Sequence, residues 1–241
     1  MASRTRATFI SFLRRNRDRI TPSNMRQLRY IILFIGSTLF FTNIQGQGFD
    51  YNILCNLQQQ RTPTMDNAMR WLSNSLILAP AIPAGMAIGG WAGGDKQLLH
   101  AAGQSGASFL ATYGITMGLK AIIKRPRPYI QYADDLVPVT TERSFSFPSG
   151  HTSFAFSTAT SLCLQYPRWY VVTPAMLWAC GIGFSRMYLG VHYPTDVAAG
   201  ALIGILSAYI TFQIQQRLEQ QKEEAGLPQP KGVVIPISLT F

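Results

Sequence analysis

The chain alternates long apolar runs with short polar breaks. A polar opening (1–29) leads into "YIILFIGSTLFFTNIQ" (30–45), and polar residues then continue to about Arg70. Further apolar runs cover about 71–92, 98–123, 151–165, 169–186 and 197–213. A helix rises ~1.5 Å per residue against a hydrocarbon core of ~30 Å, so several of these runs are long enough to cross a bilayer. "GGDK", "QYPR" and "HYPTD" punctuate them as turns. The pattern predicts an all-α, polytopic membrane bundle of five or six transmembrane helices. No repeat or low-complexity linker interrupts it. The expected division is a basic segment with the first apolar run at 1–46, one membrane domain at 47–213, and a polar tail at 214–241.

The first run reads two ways. At ~22 Å of helix it is slightly short for a crossing. Its basic leader and small-residue exit "IQGQG" also suit a secretory signal cleaved near Gly46–Gln47. Both readings put the residues after about 47 outside the cytoplasm.

Composition agrees with a lipid environment: only 13% of residues are charged and 47% are apolar. A net charge of +10 raises nucleic acid as a partner. However, eight of the 21 basic residues are arginines within the first 29 positions, and no aromatic-interleaved basic repeat follows, which excludes that class. Three cysteines without C-x-x-C spacing give neither a disulfide framework nor a metal site; Cys163 and Cys180 read as small packing residues.

Placing the Arg-rich end inside, as positive charge requires, leaves 46–70, 124–150 and 187–195 outside. Thirteen basic residues then lie inside and eight outside, and six of the outer ones are Lys120, Lys124, Arg125, Arg127, Arg143 and Arg186. Positive charge clustered on the less favoured side needs an anion to meet.

Three segments on that face carry chemistry. In "KAIIKRPRP" (120–128), Lys120 reads either as an interfacial anchor or as an anion ligand. Arg127, stiffened between Pro126 and Pro128, offers a guanidinium fork to phosphate oxygens. In "PSGH" (148–151), Ser149 and Gly150 precede a helix whose first N–H groups can bind an anion, and His151 in the first turn can supply a proton. In "SRMYLGVHYPTD" (185–196), His192 and Asp196 are four apart, so a carboxylate can fix the imidazole tautomer and free its other nitrogen as a nucleophile. Asp196 also reads as a cap of the last membrane helix. Arg186 can cover the anion from the other side. No carboxylate cluster of the metal-binding kind accompanies them, and His100 falls at the opposite end of its run.

K-x6-R-P (Lys120, Arg127, Pro128), P-S-G-H (148–151) and S-R-x5-H-x3-D (Ser185, Arg186, His192, Asp196) together resemble the three-part signature of the type 2 phosphatidic acid phosphatase family, which includes vanadium haloperoxidases. The similarity covers about residues 70–213. It implies a phosphoesterase that works through a phosphohistidine and needs no metal or other cofactor. By position, His192 would attack phosphorus, Asp196 orient it, and His151 protonate the leaving oxygen. Lys120, Arg127, Arg186 and the backbone at Ser149 and Gly150 would hold the phosphoryl oxygens. The expected partners are membrane lipids and a lipid phosphate: undecaprenyl diphosphate, phosphatidic acid, phosphatidylglycerol phosphate or lipid A. The expected location is a bacterial inner membrane with the site facing outward. A non-catalytic phospholipid-binding or transport protein on the same scaffold is the alternative, and the intact His151, His192 and Asp196 argue against it.

Overall fold

The computed structural model describes residues 46–224. Contacts divide the chain into residues 1–49 and 50–241. Of the first unit only the opening turn of a helix is described, and the architecture below is that of the second. The apolar run at 30–45, with its choice between membrane helix and leader, and the tail beyond Glu224 lie outside the described residues.

The elements are α1 (Gly46–Gln59), α2 (Pro63–Asn74), a 3-10 turn (Ser75–Ile77), α3 (Leu78–Gly93), α4 (Lys96–Ile123), the single-turn α5 (Pro128–Gln131), α6 (Gly150–Gln165), α7 (Trp169–Tyr188) and α8 (Pro194–Glu224). Among the described residues there is no strand. Local chemistry sets the starts. Thr62 caps α2 by accepting from the Met65 amide at 3.3 Å, with Pro63 in the first position. Asp95 caps α4 through the amides of Gln97 and Leu98 at 2.9 and 3.0 Å.

Among the described residues, three stretches are long and apolar enough to cross a membrane: Pro63–Gly93, Lys96–Gln131 and Pro194–Gln221. The runs expected at 151–165 and 169–186 form α6 and α7, which do not meet that standard. With 16 residues, α6 rises only about 24 Å. It lies in the middle of the bundle, packed against α4, α7 and α8.

The packing is inside-out relative to a water-soluble bundle. Trp71, Ile77, Ile88, Trp91, Leu110, Ile122 and Leu177 are exposed, whereas the interior holds small and hydroxylated residues. Lipid tails remove the hydrophobic penalty for outward aliphatics, and small residues let helix backbones approach. On α4 the buried residues include Gln104, Ser108, Thr112, Thr116 and Lys120, one every four residues. That spacing keeps them on a single face. It meets the hydroxyl-rich face of α6, where Thr112 donates to the Ser157 hydroxyl at 2.9 Å. α8 closes on α6 through glycine. A Cβ at Gly204 would sit 2.3 Å from the Ser153 carbonyl oxygen, and one at Gly200 would sit 2.6 Å from that of Ser149. Larger residues there would push α8 off the turn that begins α6.

Candidate active site

The ends of α4, α6, α7 and α8 meet on one side of the bundle. α4 stops because Lys124 turns left-handed (φ 50°, ψ 35°), with its N–H still bonded to the Lys120 carbonyl. Arg125-Pro126-Arg127-Pro128 then runs extended, Arg127 at φ −77° and ψ 156°, the conformation a following proline favours. Pro128 starts α5. This short strut carries two guanidinium groups in different directions.

Arg127 points to His192. Its Nη1 donates to the Val191 carbonyl at 2.8 Å and lies 3.3 Å from His192 Nε2, while Nε donates to the Ser144 carbonyl at 2.7 Å. The other ring nitrogen, Nδ1, faces Asp196 Oδ2 at 3.4 Å. Asp196 is the third residue of α8 and not its cap residue. Its Oδ2 reaches back to the Tyr193 amide at 3.0 Å, so it serves the helix start and the imidazole together. His192 is 2% exposed and Asp196 fully buried. Burial drives the His192 ring down to about 4 despite Asp196, and Arg127 and Arg186 add to the fall. The ring is therefore neutral near pH 7, with Nε2 turned to the cations.

Arg186 approaches from the last turn of α7. Nη1 donates to the Ser73 hydroxyl at 2.6 Å, Nη2 bonds Glu142, and Nε is buried without a partner among the described residues. Glu142 Oε2 also lies 3.8 Å from Arg127 Nη2. Burial works against the Glu142 charge, yet Arg186 beside it, with Arg127 further off, holds that carboxyl below the usual glutamate value. Lys120 is buried at the end of the α4 stripe and donates to the Phe145 carbonyl. Three cations thus converge, with one loop carboxylate bridging two of them.

The PSGH turn partly differs from expectation. Ser149 begins α6, but no side chain caps the helix, and the Ser149 hydroxyl pairs with Thr152 at 2.9 Å. The Ser149 amide does not face an anion: it donates to the Asp196 carbonyl at 3.1 Å and ties α6 to α8. A closed bundle has already claimed that donor, which leaves the open first turn at Gly150. A Cβ on Gly150 would meet only ordinary contacts, none nearer than 3.7 Å, so protein sterics alone do not demand glycine there. His151 lines a cleft of about 480 Å³ with Ser73, the serine that holds Arg186.

Four participants carry no individual role in the sequence reading, although Arg125 belongs to its outer cation cluster. Arg125 Nη1 bonds Asp196 Oδ1 at 2.7 Å and the Thr195 hydroxyl at 2.8 Å, and its Nη2 bonds Asp50 at 2.9 Å. Asp50, on α1, is fully buried. Ser146 donates to Asp196 Oδ2 and lies 3.5 Å from His192 Nδ1. Glu142 is the fourth. Other charged neighbours stay outside. Lys124, Asp134 and Arg143 are exposed, and Asp135 accepts from the Tyr51 hydroxyl at 3.1 Å. His100 pairs with Glu219 at 2.8 Å, five turns or more back along α4 from Lys120.

Among the described residues no group of three or more His, Cys, Asp or Glu side chains is placed to hold a metal.

Comparisons with known proteins place this site in a family. The model of the PAP2 superfamily matches residues 101–220, a stretch that includes all three motifs. The lipid A 4'-phosphatase of Bacteroides thetaiotaomicron is 39% identical over 88 residues, 35% of this chain and 39% of that protein. The undecaprenyl-diphosphatase of Sulfolobus acidocaldarius is 34% identical over 91 residues, 38% of this chain and 43% of that protein. The match therefore spans about two-fifths of each of these curated relatives. A solved structure, the transmembrane PAP2-type phosphatidylglycerolphosphate phosphatase of Bacillus subtilis, aligns with a TM-score of 0.61 at 26% identity, covering 79% of this chain and 96% of that one. With its apolar spanning helices, the chain is a multi-pass membrane protein, and it belongs to the PAP2 superfamily.

Proposed function

We propose that this chain is an integral-membrane lipid phosphatase that cleaves a phosphomonoester or diphosphate through a phosphohistidine without a metal. The observation that carries this reading is the meeting of Lys120, Arg127 and Arg186, all buried, with the imidazoles of His151 and His192. Buried cations are costly unless paired, and among the described residues Glu142 is the one carboxylate that forms an ion pair with any of the three, Asp196 being paired with Arg125. A phosphate with two or three oxygens matches that fork better.

In the first step the lone pair on His192 Nε2 attacks phosphorus while the bond to the lipid oxygen breaks. That oxygen leaves with a proton from His151. In the second step His151 takes a proton from water, the water oxygen attacks phosphorus, and the P–N bond breaks to release inorganic phosphate. Asp196 holds the Nδ1 proton and supports positive charge on the ring. Lys120, Arg127, Arg186 and the first turn of α6 at Gly150 hold the phosphoryl oxygens as charge develops, with Ser149 bracing that turn.

The cleft beside His151 supports a lipid as substrate. Leu76, Ile77, Pro80, Phe109 and Phe154 wall it, and Ile77 is 70% exposed at the bundle surface. An apolar chain can lie there with its phosphate at the polar end. Undecaprenyl diphosphate, phosphatidic acid, phosphatidylglycerol phosphate and lipid A phosphates all have that form. The test is phosphate release from such a panel by purified protein in detergent. Activity should persist in excess EDTA and be inhibited by vanadate, which mimics the transferring phosphoryl group. Loss on chelation, restored by magnesium, would overturn the metal-free mechanism.

The reading extends to a bacterial inner membrane with the site outside, supported by the charge asymmetry around the Arg-rich N-terminus. Val137, 67% exposed on the loop that carries Glu142, is the position to test. With Cys55, Cys163 and Cys180 replaced by serine, Val137→Cys should react with an impermeant thiol reagent in intact cells. Labelling only after lysis would reverse the orientation.

A further inference from the structure

Beneath His192 lies an ionic chain of which the steps above use only Asp196. Asp196 presents Oδ2 to His192 Nδ1, the Tyr193 amide and Ser146, and its Oδ1 goes to Arg125 Nη1 at 2.7 Å. Arg125 stacks on the Tyr193 ring, its guanidinium carbon 3.8 Å from the centroid. Its far nitrogen meets Asp50 Oδ2 at 2.9 Å. Asp50 in turn accepts from the Thr195 hydroxyl at 2.6 Å and the Thr195 amide at 3.1 Å. Both carboxylates are fully buried. A second buried carboxylate is expensive, and removing it would leave a simple Arg–Asp pair, so its presence needs a reason.

Charge supplies the reason. Arg125 alone would neutralise Asp196, and a neutral pair gives little support to an imidazolium. With Asp50 included, the chain carries one net negative charge, directed through Oδ2 at His192.

We propose that Asp50 and Arg125 are positioning residues: Arg125 fixes the Asp196 carboxylate so that Oδ2 faces His192, and Asp50 restores the negative charge that Arg125 would cancel. This rests on the phosphatase reading, in which His192 becomes positively charged when its Nε2 is phosphorylated. The remaining charged or titratable groups facing the ring are Arg127 from the strut after α4, Arg186 from α7, and His151 from α6. The variants below leave these three unchanged.

The experiment is a 15N NMR titration of the His192 ring in the full-length protein in detergent, without substrate, alongside kcat and KM against pH. Asp50→Asn keeps the shape and removes a negative charge. The His192 midpoint should fall by about half to one unit. kcat should drop about threefold or more, because a less basic ring is a poorer nucleophile, while KM holds. Asp50→Ser is a second neutral variant with the same expected sign should the asparagine protein not fold. Asp50→Asn combined with Arg125→Gln removes both charges, restores the net −1 on Asp196, and should bring the midpoint back toward the wild-type value. A purely structural role predicts the opposite order, with the double variant furthest from wild type. An unmoved midpoint in both neutral variants, or a double variant displaced further than Asp50→Asn, overturns the proposal. Because the titration needs no turnover, the expected shifts in a protein inactive on every lipid would uphold this charge chain and sink the phosphatase reading instead.

Discussion

His192→Ala should yield a protein that never becomes phosphorylated. In rapid-quench experiments with a 32P-labelled lipid phosphate, wild type should accumulate an acid-labile, base-stable phosphoprotein, and the variant none. Turnover should fall by about 10⁴ or more, the scale seen when a nucleophile that acts as part of a unit is removed. The geometry allows no substitute. Nε2 is the ring nitrogen turned to Arg127, at 3.3 Å, and the serines nearby are already engaged: Ser146 with Asp196, Ser149 with Thr152. Binding should survive, because Lys120, Arg127 and Arg186 come from other segments. A retained affinity for inorganic phosphate would show that the fork remains. Acid below about pH 4 should stop the attack on phosphorus, since protonating the buried ring removes the attacking lone pair. A phosphoenzyme formed by His192→Ala but absent from His151→Ala would show that the two roles are exchanged.

The extent to which this site was legible in the sequence follows from the type of signal each residue gives. His151, His192, Asp196, Arg127 and Arg186 stood out because polar groups beside apolar runs are conspicuous and their spacing is short-range. Lys120 was ambiguous in the run itself, yet Gln104, Ser108, Thr112 and Thr116 step toward it every four residues and mark the inward face. That periodicity was a usable signal. Arg125 offered none: it stands before Pro126 much as Arg127 stands before Pro128, and only the fold sends one guanidinium to His192 and the other to Asp196. Asp50 precedes every motif and meets Arg125 across 75 positions of chain, a pairing invisible to local pattern. Ser149 shows the converse failure. Its amide was assigned to an anion because a helix start leaves such donors open, but tertiary packing gave that donor to the Asp196 carbonyl. The bundle itself was clear from apolar run length. The central place of α6 was less so, because it is buried among other helices and uses serine and threonine where a lipid-facing helix would carry aliphatic residues.

His151→Ala should separate two kinds of substrate. A lipid alkoxide is a poor leaving group and needs its proton in the transition state, so removing the donor should cost about 10² to 10⁴ in kcat. A nitrophenyl phosphate expels an oxygen that is stable without a proton, and there the same variant should lose far less, on the order of tenfold. The position of His151 supports this selectivity. It lies in the wall of the cleft with Phe109 and Phe154, on the side where the lipid oxygen would depart, and not in the Arg127–His192–Asp196 line. Asp196→Asn should behave differently, because it alters the nucleophile and not the leaving group. Its losses should be similar on both substrates and smaller than those of His192→Ala: the imidazole remains, but an amide carries no charge to support the phosphorylated ring. The measurement is kcat for both variants on both substrate types, with phosphoenzyme trapping. Equal losses for His151→Ala on lipid and nitrophenyl substrates would remove the proton-donor role and leave His151 as a phosphate ligand. A substrate-dependent loss for Asp196→Asn would mean that its influence extends past the imidazole to the leaving oxygen.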